Sequence, residues 1–169
     1  MIKSNHLNCL PYIEAKSLMD IPKSYNKDLQ WKTANNRNYV TCQFIPYDER
    51  DPVIKGTLTG VSVQLDYKRP KRIKREKEKT VLTLFQQKNG VKYRAYQLEA
   101  AHENNKSSRD NNEDIYGCHE HIGDKFQQMA QEYPIDDVVN WFTLFCKKIN
   151  LDFTGNLPQY SLVEHNDEL

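Results

Sequence analysis

Histidine is the residue type in this chain whose placement points to chemistry. Three of the five histidines fall in one segment, at His102, His119 and His121. If His119-Glu120-His121 is extended, its two imidazoles project from the same face of a strand, about 6.5 Å apart at the backbone. Imidazoles titrate near pH ~6.5, so a group of them can move protons at neutral pH or bind a shared ligand. This segment is therefore the predicted site.

Two chemistries fit the three histidines. In the first, His102, His119 and His121 act as acid and base on RNA, whose 2′-hydroxyl is the internal nucleophile, and no cofactor is needed. In the second, the same three side chains bind zinc or another divalent metal and leave one position open for water. Lysine and arginine side chains nearby disfavour a bound cation, which favours the metal-independent ribonuclease.

A basic run precedes the histidine segment. Between Lys68 and Lys79 there are eight basic and two acidic residues. A regular hairpin register places Lys77 opposite His102 and Lys79 opposite Ala100, beside the histidines. Cations hold phosphates, so we predict that a basic stripe here binds nucleic acid; it consists of Lys71, Arg72, Lys74, Arg75, Lys77 and Lys79. The alternative is that the run is a solvated edge of a sheet.

The strongest structural signal is a hairpin over residues 80–98. Asn89-Gly90 separates two strand-like runs and is the preferred type I′ turn, since both of its residues take positive φ. In this register Lys88 opposes Val91. Continued without interruption, the register predicts one face made of Val81, Thr83, Phe85, Arg94, Tyr96 and Leu98.

The remaining segments predict a mixed fold. Residues 39–45 and 57–67 have the composition and alternation of strands, and the wholly polar residues 103–114 indicate a long loop. Residues 136–149 open with two acidic residues, end near two lysines and carry an apolar stripe, as amphipathic helices do. We therefore predict an α+β domain whose antiparallel sheet of four to five strands has a C-terminal helix packed on one face. Its parts are an irregular arm over 1–35, the sheet over 36–122, a helical part over 123–150 and a tail over 151–169. Within the arm, Pro11 and Pro22 bracket a short predicted helix around Ile13 to Met19.

Composition narrows the class of protein. No run approaches the ~20 apolar residues of a membrane span, and Met1–His6 lacks the apolar stretch of a secretory signal, so we expect a cytoplasmic protein without a membrane partner. The four cysteines show no C-x-x-C spacing and are expected to be reduced. Residues 1–98 hold 19 basic and 9 acidic residues, a net +10, and residues 99–169 hold 5 and 14, a net −9. Such a chain can present a basic face to RNA or another polyanion.

The order of the polar residues resembles that of the TumE-type toxins of prokaryotic toxin–antitoxin modules. The resemblance rests on a strand carrying Arg94 and Glu99, followed by His102 and then by the histidine-rich strand His119-Glu120-His121. It covers about thirty residues. It implies a compact β-sheet toxin that acts on RNA and is neutralised by a partner protein.

Two classes of function remain open at this point. The first is a small RNA-directed nuclease of the toxin type, with His102, His119 and His121 as acid/base residues. The second is a non-enzymatic phage or mobile-element inhibitor, whose basic stripe binds nucleic acid or a host protein complex and whose histidines are structural. RNA cleavage by the purified protein separates the two.

Overall fold

The fold is a computed structural model that describes residues 8–34, 39–68, 78–110 and 113–157. The described residues form two helices and twelve strands. In chain order these are α1 (Tyr12–Asp20), β1 (Lys23–Tyr25), β2 (Lys32–Thr33), β3 (Tyr39–Phe44), β4 (Tyr47–Asp48), β5 (Val61–Lys68), β6 (Lys79–Lys88), β7 (Val91–Ala101), β8 (Lys106–Asp110), β9 (Glu113–Tyr116), β10 (His119–Ile122), β11 (Lys125–Gln128), α2 (Val138–Lys148) and β12 (Leu151–Phe153).

The central sheet has seven strands in the order β11-β10-β7-β6-β5-β3-β2, and every pair is antiparallel. This confirms the α+β class, the antiparallel sheet and the C-terminal helix. The predicted number of four to five strands is wrong. The two edge strands, β2 and β11, are short and mostly polar, so neither carries the apolar alternation by which a strand is recognised in a sequence.

The hairpin of β6 and β7 follows the predicted register only near its turn. Four residue pairs, from Lys88 with Val91 to Phe85 with Arg94, agree with it. A β-bulge then shifts the pairing, so that Leu84 lies opposite Tyr96 rather than Ala95. A bulge of one residue moves all later side chains of its strand to the other face of the sheet.

The bulge therefore corrects two predictions about faces and pairs. Tyr96 and Leu98 do not share a face with Thr83 and Val81; the residues opposite Thr83 and Val81 are Gln97 and Glu99. Lys79 lies opposite Ala101 rather than Ala100. The predicted pairing of Lys77 with His102 falls outside the described residues.

One face of the central sheet is apolar and carries the core. Its central residues, Leu65, Leu82 and Leu98, are fully buried. The predicted helix is α2, which begins after Asp137, where a side-chain oxygen accepts a hydrogen bond from the backbone N–H of Asn140. The aromatic residues of α2 belong to the same core, and the ring of Phe145 lies 5.7 Å from that of Tyr96.

The opposite face, which we call the polar face, carries two rows of mainly polar residues that run across the strands. One row consists of Gln43, Gln64, Thr83, Gln97 and His121, paired in register from β3 to β10. The neighbouring row consists of Thr41, Asp66, Val81, Glu99 and His119. Antiparallel sheets commonly pack one face and leave the other polar.

Two segments predicted as irregular contain regular structure. In the arm over 1–35, α1 agrees with the short helix predicted around Ile13 to Met19, while β1 and β2 were not predicted; the tail begins with β12, which pairs in parallel with β1. Residues 158–169 of the predicted tail lie outside the described residues. The predicted loop over 103–114 contains β8 and β9, which form a separate two-stranded ladder. Their polar sequence has no apolar alternation from which strands could be predicted.

A buried lysine ties the two ends of the chain together. Lys23, in β1, is 1% exposed, and the three N–H groups of its ammonium are shared among four carbonyl oxygens within hydrogen-bond distance. Three belong to the end of α1 and the turn after it, and the fourth is Ile149 O, at 2.7 Å, where α2 ends. A positive charge at the C-termini of two helices is favourable.

Two further findings concern the whole described chain. None of the helices in residues 8–34, 39–68, 78–110 and 113–157 is both long enough and apolar enough to cross a membrane. All four cysteines are free thiols.

Candidate active site

Strand β10 brings two of the three predicted histidines into direct contact. His119 and His121 alternate with Glu120 along the strand, so both project onto the polar face. Their Nε2 atoms are 3.1 Å apart, and the two rings meet edge to face with centroids 4.8 Å apart. We call these residues the imidazole pair.

Glu99 joins the imidazole pair because of the bulge in β7. The shifted register places Glu99 opposite His119 on β10 and opposite Val81 on β6. One oxygen of its carboxylate, Oε2, is 3.3 Å from His119 Nε2. The other oxygen, Oε1, accepts a hydrogen bond from the Lys79 ammonium at 3.0 Å. The carboxylate thus links a lysine to an imidazole.

The hydrogen-bond partners of His119 determine where its hydrogens lie. Its Nδ1 is 3.2 Å from the carbonyl oxygen of Gly117, which can only accept, so Nδ1 carries a hydrogen. Nε2 then either carries a second hydrogen, directed at Glu99 or His121, or accepts one from His121 Nε2. One proton can therefore occupy the space between the two Nε2 atoms.

The second imidazole is held in its neutral form. Burial, the guanidinium of Arg94 and the neighbouring His119 lower the pKa of His121 from 6.5 to about 2. Among the described residues, its Nδ1 has no hydrogen-bond partner. So low a pKa keeps this imidazole neutral while the site is closed, so it can take up a proton only if the site opens and water reaches it.

The site is closed in this structure. His119 is 0% exposed, His121 1% and Glu99 4%. Arg94 is also buried, and the ring of Phe126 on β11 lies 5.9 Å from that of His121. A substrate can reach these groups only if neighbouring side chains or strands move.

Lys79 is the one residue of the predicted basic stripe that the structure describes. Burial opposes its charge, but Glu99 and Tyr39 outweigh that effect and raise the pKa of Lys79 above its ordinary value. Its side chain is 21% exposed and directed at Glu99. The other stripe residues, Lys71, Arg72, Lys74, Arg75 and Lys77, lie outside the described residues.

The structure does not bring His102 into contact with the imidazole pair. His102 follows the last residue of β7, and its carbonyl accepts the backbone N–H of Asn105 at 2.9 Å. Its ring is half-buried, and within the described part of the chain its Nε2 has no hydrogen-bond partner. The described contacts thus join two histidines, not three.

The metal alternative requires three ligands around one point. Within the four described ranges, no group of three or more His, Cys, Asp or Glu side chains is arranged so that it could hold a metal ion. In particular, His102, His119 and His121 do not form such a group among the described residues. The positive charges of Lys79 and Arg94 beside the imidazole pair add a repulsion against any cation.

Sequence reasoning left Glu99 and Arg94 out of the predicted site residues. On a straight strand, Arg94 is about 26 Å from His102 and Glu99 faces away from Arg94. The bulge between them puts both on the polar face with the imidazole pair. A bulge has no fixed sequence signal; in the sequence, the pointer to Arg94 and Glu99 is the resemblance to the TumE-type toxins.

No family model, no curated protein and no solved structure matches this chain. Its function must therefore be argued from the site itself.

Proposed function

We propose that the chain is a small, metal-independent, RNA-directed nuclease of the toxin type that uses histidine acid/base chemistry. The observation that carries this proposal is the contact between the two imidazoles, one of which also lies against the carboxylate of Glu99. A carboxylate beside an imidazole fixes its orientation and stabilises its protonated form. His121, which is neutral in the closed site, is the base once the site opens and its burial is relieved, and His119 is the acid.

The positively charged side chains around the imidazole pair favour an anionic substrate. In an internal transesterification, the base removes the proton of the 2′-hydroxyl, the 2′-oxygen attacks the phosphorus, and the acid gives a proton to the departing 5′-oxygen. Negative charge then develops on the phosphate oxygens. Arg94 lies on the same face as His121 and acts on it electrostatically, and its guanidinium would stabilise that charge once the site opens. The basic stripe would hold the flanking phosphates.

Incubation of the purified protein with total RNA tests the proposal. Wild type is expected to cleave RNA equally well with and without a chelator. The double variant His119→Ala, His121→Ala is expected to be inactive, while His102→Ala, which removes the histidine outside the pair, keeps its activity. Intact RNA with wild type under all conditions would overturn the proposal. Loss of cleavage in the presence of the chelator would show that the reaction depends on a bound metal ion.

Because both imidazoles are buried, alanine variants can lose the fold as well as the chemistry. His119→Gln and His121→Gln keep a polar atom near the position of Nε2 and leave smaller cavities. Each is expected to unfold in the same cooperative manner as wild type and to lose cleavage by about a hundredfold or more. Cleavage at the wild-type rate by both folded variants would exclude the pair as acid and base.

The basic stripe has a test of its own. Replacing Lys71, Arg72, Lys74, Arg75 and Lys77 by Ser is expected to weaken binding to a polyanion and to flatten its dependence on salt. Each lost phosphate contact removes the release of about one counterion. Lys79 is left unchanged because it pairs with Glu99. Unchanged affinity and salt slope would show that the stripe does not bind phosphates.

The second candidate function is the non-enzymatic inhibitor that binds nucleic acid or a host protein complex. The burial of both imidazoles favours it, because structural histidines are usually sealed from water. Like the nuclease, the inhibitor is expected to bind polyanions more weakly when the basic stripe is replaced by serine. It differs in predicting that RNA stays intact and that the glutamine variants of the imidazole pair bind as wild type does.

A further inference from the structure

A pocket of about 450 Å³ lies at the opposite end of the polar face from the imidazole pair. Three glutamines line it: Gln30, and the sheet residues Gln43 and Gln64. Thr41, Lys32 and Asp28 complete its polar lining. The volume is in the range of pockets that take up small organic ligands.

Two of the lining residues lie in one row with the imidazole pair. Gln43 on β3 and Gln64 on β5 are followed in register by Thr83, Gln97 and His121. The row spans four strand-to-strand steps of about 4.8 Å, or roughly 19 Å. Sheets of comparable width accommodate two or three nucleotides of single-stranded RNA.

The pocket contains the groups that recognise a base. An amide side chain offers a donor and an acceptor side by side and pairs with the edge of a nucleobase. Gln30 and Gln43 are exposed and line the pocket, so their side-chain amides can reach a ligand there. Gln64 is held in place because its amide donates to Asp66 at 2.9 Å. Lys32 supplies a positive charge at the rim.

We propose that this pocket binds one nucleobase of a single-stranded RNA that lies across the polar face, two or three nucleotides from the bond that the imidazole pair cleaves. The inference rests on the proposed nuclease function and adds that its substrate is single-stranded and that cleavage depends on a base away from the cut. Duplex RNA cannot offer a base edge to a pocket without unpairing.

Binding can be measured separately from cleavage. Hexaribonucleotides of each single base, with 2′-O-methyl groups throughout, lack the nucleophile and cannot be cut. Wild type is expected to bind one or two of the four base types preferentially. The double variant Gln43→Ala, Gln64→Ala is expected to lose about tenfold in affinity for those oligomers and to lose the preference. Gln131→Ala, an exposed glutamine outside the pocket, is the matched control and keeps both.

Cleavage of unmodified RNA completes the experiment. If wild type cleaves RNA and the double variant keeps the same base preference, the pocket proposal is overturned and the nuclease stands. If the oligomers bind in a glutamine-dependent way but unmodified RNA stays intact, the nuclease fails and the pocket stands. If no oligomer binds wild type, the pocket proposal is overturned; binding of a protein instead would assign the polar face to a protein partner.

Discussion

At the scale of the residue, the charge state of His121 governs what the imidazole pair can do. The groups that face it are His119 from its own strand, Arg94 and Gln97 from β7, and the ring of Phe126 from β11. The low pKa means that this imidazole is neutral in the folded protein and charged only after acid unfolding. A neutral buried histidine therefore links proton uptake to loss of the fold.

This linkage predicts acid sensitivity. The pKa of His121 is about 2 in the folded state against 6.5 for an ordinary histidine, so its contribution to stability is complete above pH 6.5 and is lost as the pH falls below it. Between about pH 7.5 and about pH 5, the loss amounts to about 2 kcal/mol of the free energy of unfolding. Denaturant titrations are expected to show this loss in wild type and in His102→Gln but not in His121→Gln. Equal losses in all three proteins would contradict it.

Glu99 gives a second prediction at this scale. Glu99→Gln leaves Lys79 without its carboxylate and is expected to lower the free energy of unfolding by about 3 kcal/mol, because it breaks a largely buried ion pair. Adding Lys79→Met removes the buried positive charge that has lost its carboxylate and is expected to restore most of that stability. RNA cleavage should stay low in both variants, since neither has the carboxylate beside His119. Full cleavage by the double variant would show that Glu99 only balances Lys79.

The sequence is informative about residue types and less so about their partners. The alternation in His119-Glu120-His121 is enough to predict that the two imidazoles share a face. It cannot show that Lys79 turns toward a carboxylate instead of a phosphate, because that depends on the strand that lies alongside. It also cannot show that His102 stays outside the pair, since the chain turns immediately after β7.

At the scale of the element, short turns could be predicted and the bulge could not. Asn89-Gly90 specifies its turn locally, because both residues take positive φ, 51° and 78°. The bulge at Ala95 is set by packing: it allows Tyr96 and Leu98 to face the core. One inserted residue thus decides that Glu99 belongs to the site, and that information lies in the tertiary structure.

A glycine pair tests how tightly the turn between β10 and β11 is packed. Gly123 has φ +57°, and a Cβ there would lie 2.5 Å from the carbonyl oxygen of Leu10. Gly90 has φ +78° with nothing within 4 Å. Gly90→Ala is expected to cost about 1 kcal/mol, from backbone strain alone. Gly123→Ala is expected to cost at least about 2 kcal/mol more, because the segment before α1 must shift. Thermal unfolding measures the loss of stability in both variants. Equal losses would mean that the turn at Gly123 is not tightly packed against Leu10.

At the scale of the whole molecule, Lys23 and the parallel pairing of β1 with β12 join the two ends of the chain into one unit. Lys23→Met is expected to lower the free energy of unfolding by about 3 kcal/mol, because four carbonyl oxygens lose their donor in a buried place. Lys27→Met, on the exposed surface, should have little effect. Similar stabilities for the two variants would contradict this assignment.

A consequence of the same pairing concerns the protein while it is being made. Lys23 and Ile149, whose carbonyl receives its ammonium, are 126 residues apart, so the first strand emerges from the ribosome long before its partner exists. Until then Tyr25 of β1 lacks the ring of Phe153 in β12, which lies 6.3 Å from its own ring. Until β12 has been made, the region around β1 is therefore exposed to chaperones and proteases.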